Sequence, residues 1–389
     1  MKKLAIITTH PIQYYAPIFQ VLHERGNIDL KVFYTWGKDA GKKHDPGFGK
    51  SIEWDLPLLD GYPFEWIQNT ASDPGSHHYK GIKNPSLIKQ VSIWQPDAVL
   101  VFGWAYQSHL TAMRYFHTKL PVYFRGDSTL LDDKKNLRYV LKSIFLKWVY
   151  GFTDHAFYVG TQNKKYFKKY GLKESQLTFA PHAADNLRFE KNRSAEAAEI
   201  RDQLGVGVND LLVLYAGKFE EKKNPGILLQ AFTELNNPHV RLLFVGNGIL
   251  EVNLKSQISN HKSDNIHFID FQNQTQMPVI YQACDLFCLP SKGPAETWGL
   301  AVNEAMACGK AILVSDQVGC AADLIKPGEN GFIFKSGNLA DLKEKLEHLT
   351  ECKTTLKAYG KRSQEIISEW NFSAIASALE NQLNNEPGR

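Results

Sequence analysis

Short apolar runs alternate with stretches of helical periodicity along the whole chain. In the first half the runs are KLAIITT, LKVFYTW, AVLVFGW, PVYFRGD and HAFYVG; in the second they are LLVLYAG, VRLLFVGNG, NIHFID, LFCLPS, AILVSD and GFIF. Runs this short, rich in Val, Ile, Leu and Phe, suit strands buried on both faces, and the helical stretches between them suit crossover helices. The pattern predicts an α/β chain with one doubly wound parallel sheet in each half. The change-over lies between Phe179 and Asp210, where a loop passes through a charged stretch into a new strand. We place the first domain over 1–190, with the linker near 186–195, and the second over 191–360. A last helical segment, 361–389, is long enough to cross back to the first domain.

Length agrees, since 389 residues exceed one ordinary core and suit two of about 150–200 residues each. No apolar run approaches the roughly 20 residues needed to cross a bilayer. The N-terminal run Leu4–Ile7 is too short for a signal peptide and reads as a first buried strand of a cytoplasmic protein. The five cysteines, Cys284, Cys288, Cys308, Cys320 and Cys352, show no paired CxxC spacing and read as reduced core thiols.

Charge changes the picture in one place. Between Lys134 and Glu174 ten basic residues face two acidic ones, although the whole chain carries only +4. The first part, KKNLRYVLKSIFLKWVYGF, interleaves Leu137, Val140, Leu141, Ile144, Phe145 and Trp148 with Lys134, Lys135 and other basic residues at helical spacing. Two readings stay open: a helix lying on an anionic membrane surface, or one packed on its own domain with a solvated basic face. No stacking module for nucleic acid accompanies the charge.

In an open α/β sheet ligands sit beyond the carboxyl ends of the strands, so the loops there hold the candidate chemistry. PAETWGLAVNEAMACG follows the run LFCLPS and places Glu296 in a loop and Glu304 little more than a turn into a helix. The amides near Gly299, Leu300 and Ala301 open that helix and can bind phosphate. Spacing alone leaves both glutamates open as solvated side chains or as acceptors for sugar hydroxyls. LYAGKFEEKKNP presents Lys218, Lys222 and Lys223 at another strand end, where lysine can neutralise a diphosphate, although Lys222 reads as a surface residue. Gly246 and Gly248 in FVGNG would let backbone approach a ligand. GxGxxG and GxxxxGK[ST] are both absent, which counts against dinucleotide oxidoreductases and P-loop NTPases.

Taken in order, YAGKFEEKKNP, LLFVGNG, HFIDF, YQACDLFCLPS, ETWGLAVNEAMACGKAILVSD and GENGFIF resemble the C-terminal domain of glycosyltransferase family 4, retaining enzymes of the GT-B fold, over roughly 211–345. The resemblance implies two Rossmann-like domains facing a cleft, with nucleotide-sugar bound by the second and acceptor by the first. It implies that Lys218 and Lys223 hold the donor diphosphate, Glu296 contacts the donor sugar, Glu304 binds the ribose, and Phe271 and Gln272 lie where the base is held. APHAADNLRF is similar to the family's linker, keeping Pro181, Asp185 and Phe189 but departing from it at His182 and Ala183. The first βα loop, THPIQYYAP, is found in some bacterial members, so His10 and Gln13 are expected to reach the donor from the opposite lip or to form a structural turn. Many relatives carry histidine where Arg125 falls. Arginine stays protonated, so it is expected either to stabilise the leaving phosphate, with Asp127 orienting it or the acceptor, or to fix its loop by pairing with Asp127.

No Asp-x-Asp occurs, and His77 and His78 lie in a Gly/Pro/Ser-rich loop, so neither a metal nor any cofactor beyond the nucleotide-sugar co-substrate is expected. The expected partners are a nucleotide-sugar donor, a saccharide or lipid-linked saccharide acceptor as in polysaccharide or glycolipid assembly, and an anionic membrane surface, without nucleic acid. A sugar-nucleotide epimerase of the same fold and a non-catalytic nucleotide- or anion-binding protein remain as alternatives.

Overall fold

The computed structural model describes residues 1–38, 44–45, 50–51, 53–131, 137–259, 264–294 and 296–386. The chain divides into two compact units: Met1–Lys43, Leu56–His182 and Phe372–Arg389 form the first, and His44–Asp55 and Ala183–Asn371 the second.

In chain order the strands are β1 Lys3–Thr8, β2 Asp29–Tyr34, β3 His44–Asp45, β4 Lys50–Ser51, β5 Phe64–Trp66, β6 Ala98–Phe102, β7 Val122–Arg125, β8 His155–Tyr158, β9 Leu177–Phe179, β10 Leu211–Ala216, β11 Val240–Val245, β12 Ile266–Ile269, β13 Leu286–Leu289, β14 Ala311–Ser315 and β15 Gly331–Phe334. The first unit holds a seven-stranded sheet, β5-β2-β1-β6-β7-β8-β9, and the second a six-stranded one, β12-β11-β10-β13-β14-β15. Every pairing in both sheets is parallel, while β3 and β4 form a short antiparallel ladder. Strand order reverses between β1 and β6 in one sheet and between β10 and β13 in the other, which opens a crevice at the strand ends of each.

All eleven sequence-read runs are strands. β10 is buried at every position, because helices cover both faces of its sheet. The reading missed β5 and β9, which are only three residues long, sit at the sheet's two edges and are partly exposed.

The boundary expected at 190/191 falls instead after His182. The reason is local: Asp185 caps the short helix Asn186–Glu190 by accepting from the Arg188 amide (3.2 Å), and that helix belongs to the second core. Phe189 is fully buried beside Tyr281, and Asn186 Nδ2 donates to the Ile367 carbonyl at 2.9 Å. The expected continuous segment from Lys361 is two helices, Lys353–Ile367 in the second unit and Phe372–Asn385 in the first. Phe372–Asn385 packs on the helix Ala16–Arg25, with Ile375, Ala376, Leu379 and Leu383 buried and Arg25 paired to Glu380 at 3.0 Å.

Candidate functional site

In the second unit the crevice beside β10 and β13 collects the residues singled out by sequence. The loop after β10 carries Lys218 and Lys223, and the loop after β13 carries Glu296. Glu296 is 8% exposed; its Oε2 accepts from Ser291 Oγ at 2.8 Å and pairs with the Lys223 ammonium. A buried carboxylate needs such partners, because the cost of dehydrating it is offset only by opposite charge and hydrogen bonds. Burial of Tyr215, with Glu296 and Glu220 nearby, pushes its phenol pKa well up, so the hydroxyl stays protonated and donates to the Lys218 carbonyl at 2.7 Å. Lys222 pairs with Glu220 at 3.3 Å, in keeping with a surface role.

The helix Leu300–Ala307 starts from Gly299, whose φ of 93° favours glycine and whose added Cβ would lie 2.8 Å from Val318 Cγ1. Its first-turn amides, at Gly299, Leu300 and Ala301, lack intrahelical acceptors and carry the positive end of the helix dipole. Glu304, one turn further, is 3% exposed and accepts from Tyr281 Oη at 2.9 Å. Neither glutamate is a solvated side chain. Gly246 closes the crevice from the β11 side: its φ is 139°, and an added Cβ would lie 2.1 Å from the Gly217 carbonyl oxygen. Any larger residue there would push the loops after β10 and β11 apart.

After β12 the chain turns through Phe271 and Gln272. Asn247 fastens this turn, accepting from the Phe271 amide at 3.0 Å and donating to Asp270 at 3.1 Å. Gln272 Nε2 folds back on the Asp270 carbonyl at 3.0 Å. Ser291 and Tyr281, which hold the two glutamates, were not singled out from sequence. Ser291 closes the LFCLPS run, so its position at a strand end was a usable signal; Tyr281 lies 23 residues from Glu304 and no spacing rule links them.

In the first unit the sequence-read residues also cluster near strand ends, but they are differently engaged. Arg125, at the end of β7, is 2% exposed, and its two terminal nitrogens donate to the Ala180 and Pro181 carbonyls, both at 2.8 Å. Its two terminal nitrogens thus hold the segment after β9 rather than facing solvent. Burial lowers its pKa to about 10, leaving it charged at neutral pH. His182, read from sequence only as a departure from the linker pattern, is buried and stacks near Tyr15 with ring centroids 6.2 Å apart. Burial depresses its pKa to about 4, with Asp127 acting upward and Arg125 downward. Asp127 is therefore electrostatically close to Arg125, His182 and Tyr15. Gln13 is 6% exposed, and its Oε1 has no hydrogen-bond partner among the described residues. His10 meets Thr9 Oγ1 at 2.9 Å and the Trp36 ring edge-on at 4.8 Å.

The helix Leu137–Tyr150 buries Leu146, Val149 and Tyr150 and exposes Val140, Leu141, Ile144, Phe145 and Trp148, with Lys142 and Lys147 among them. Its outer face is thus apolar as well as basic; Lys134 and Lys135 lie outside the described residues. Among the described residues no helix is long and apolar enough to cross a membrane. Asp73, His77 and His78 bring ligand-type atoms within 4.8 Å of one another, a grouping that the sequence reading did not find. His78 Nε2 and His77 Nε2 lie 3.2 and 3.5 Å from one Asp73 oxygen, as exposed ion-pairing groups do.

Residues 196–366 match the family described as glycosyl transferases group 1. A D-inositol 3-phosphate glycosyltransferase from Nocardia farcinica is 26% identical over 220 residues, covering 54% of this chain and 48% of that protein. A sulfoquinovosyl transferase from Arabidopsis thaliana is 23% identical over 316 residues, covering 77% of this chain and 58% of that one. The chain thus spans about half the length of the curated relatives it matches. Anabaena HepE, in a crystal structure with UDP and glucose, superposes with a TM-score of 0.72 at 18% identity, covering 99% of this chain and 100% of that one. With two parallel α/β units of this topology and the likeness to HepE over its whole length, the chain has the GT-B fold, and the stretch 196–366 in its second unit is similar to glycosyl transferases group 1.

Proposed function

We propose that the protein transfers a sugar, with retention of configuration, from a nucleoside-diphosphate sugar to an acceptor hydroxyl. The observation that carries this reading is the pairing of buried Glu296 with half-buried Lys223 at the strand-order reversal of the second sheet. A cation for diphosphate and a carboxylate for sugar hydroxyls lie side by side there, and Glu304 is sequestered in the helix that follows. In this reading Lys218, Lys223 and the amides at Gly299, Leu300 and Ala301 receive the diphosphate. Glu296 takes the sugar, Glu304 the ribose, and Phe271 and Gln272 the base, while Gly246 keeps the loops after β10 and β11 close together around the donor. The bound UDP of HepE and the sugar-transfer names of the relatives support it.

The lysines and helix amides stabilise charge on the departing phosphate, so a metal is not required for that task. As the anomeric bond to the phosphate oxygen breaks, that oxygen accepts the acceptor's hydroxyl proton, and the new glycosidic bond forms on the same face. Retention itself rests on the family resemblance. Arg125 and Asp127 then act by setting the shape of the first unit, in which His10 and Gln13 also lie.

The acceptor in this proposal is a lipid-linked saccharide at the inner face of the cell membrane, as in polysaccharide or glycolipid assembly. The apolar and basic outer face of Leu137–Tyr150 is the support for it. Donor hydrolysis and melting shifts across UDP-, GDP-, ADP- and CMP-sugars, with Glu296→Ala alongside, test the donor half. A ligand at about 100 times its Kd should add roughly 2.7 kcal/mol; no shift with any sugar nucleotide would sink the reading. Flotation with anionic vesicles at low salt tests the membrane half, which absence of binding would remove.

A further inference from the structure

Residues 44–55 leave the first unit's sequence and belong to the second unit. Their last three residues grip the turn after β12. Asn273 Nδ2 donates to the Glu53 carbonyl at 2.7 Å, and the Thr275 amide donates to the two Asp55 carboxylate oxygens at 3.3 and 3.2 Å, with the Thr275 hydroxyl on the same carboxylate. From the other side Arg188 fastens the turn through Gln274, Nη2 to Oε1 at 2.8 Å. Between the Glu53 and Asp55 ties stands Trp54, half-buried, its ring 6.4 Å from Phe271 and tilted by 60°.

Two ties on adjacent residues fix the backbone of Trp54, so little conformational freedom is left to lose when its ring is used. Both rings are half-buried and tilted to one another rather than packed within a core. A planar heterocycle can lie on the face of one with the other against its edge. Polar groups beside the rings are engaged locally: the Phe271 amide donates to Asn247, and Gln272 Nε2 donates to the Asp270 carbonyl.

We propose that Trp54, with Phe271, forms the aromatic wall of the nucleobase subsite, so that residues 53–55 contribute to nucleoside recognition by the second unit. The inference rests on the nucleotide-sugar reading above and adds to it a residue from a distant part of the chain.

Calorimetric titration of the full chain with UDP, GDP, ADP and inorganic pyrophosphate separates the two. We expect Trp54→Ala to weaken the preferred nucleoside diphosphate by roughly tenfold or more, as loss of one stacking face does. Pyrophosphate affinity should not change, and Trp54→Phe should restore most of the loss. A merely structural role would lower both affinities together or neither. Wild-type nucleoside diphosphate binding by Trp54→Ala, or an equal loss for pyrophosphate, overturns the aromatic wall while leaving the donor reading intact. If the unmutated protein binds no nucleoside diphosphate, the donor reading falls and the wall with it. Should Trp54→Ala not fold, Trp54→Leu against Trp54→Phe makes the same comparison at nearly constant bulk, and equal affinities in that pair overturn the proposal.

Discussion

Arg125 and Lys223 each sit at or just after the end of a strand in a parallel sheet, yet they spend their charge differently. Lys223 reaches one buried carboxylate and keeps a fifth of its side chain exposed. Arg125 is sealed and divided between two backbone carbonyls of its own unit. The same architecture thus leaves a charge partly exposed beside a buried carboxylate in the second unit and consumes a corresponding one as a brace in the first. The difference teaches that a charged residue at a strand end marks a site only when a hydrogen-bonding partner or ligand surface remains open to it.

The sharpest way to break the comparison is Glu296→Gln. We expect donor hydrolysis and transfer to drop by about a hundredfold or more, since an interaction at the reacting sugar is lost, while the melting temperature changes little. Arg125→Met should do the reverse. Two carbonyls lose a charged donor in a sealed site, costing about 3 kcal/mol and roughly 10 °C of melting temperature, while nucleotide affinity of the folded protein is kept. If Arg125→Met instead weakened nucleotide binding without loss of stability, the contrast would be wrong. Glu304→Gln should raise the donor Kd by about tenfold, because ribose hydroxyls lose a charged acceptor; calorimetry with the nucleoside diphosphate reads this directly.

Acid separates the units more gently. His109 and His182, both in the first unit, have pKa values of about 4, chiefly because burial disfavours their charged forms, against 6.5 ordinarily. Between those values the unfolded chain binds more protons than the folded one, so their contribution to stability is complete above pH 6.5 and is lost as pH falls toward 4. Thermal melts should therefore show the first unit weakening over that window, and His182→Asn should flatten its share of the slope. An unchanged slope would mean that His182 is not held neutral.

The second unit was the more legible in sequence, for physical reasons. Four of its strands, β10, β11, β13 and β14, are apolar runs buried at nearly every position, and its charged residues fall in the loops that follow β10 and β13, so Lys218, Lys223 and Glu296 could be placed in those loops from chain order alone. Glu304 could be placed on its helix but not in its burial, because Tyr281 arrives from a different helix. In the first unit the three-residue edge strands carry too little pattern to detect. Arg125 looked available because its acceptors, the carbonyls of Ala180 and Pro181, are backbone atoms and leave no trace in side-chain spelling. Trp54 was invisible for a similar reason: its neighbours Glu53 and Asp55 are tied to residues 220 positions away in the chain.

The return of Phe372–Asn385 to the first unit has a consequence for how the protein is made. On the ribosome, the second unit has its entire sequence in hand before Phe372 emerges, whereas the first unit still lacks the helix that covers Ala16–Arg25. Domains usually mature in N-to-C order during synthesis. Here the first to be translated is the last to be finished, and until then a nascent chain carries an uncovered apolar helix face that a chaperone would recognise.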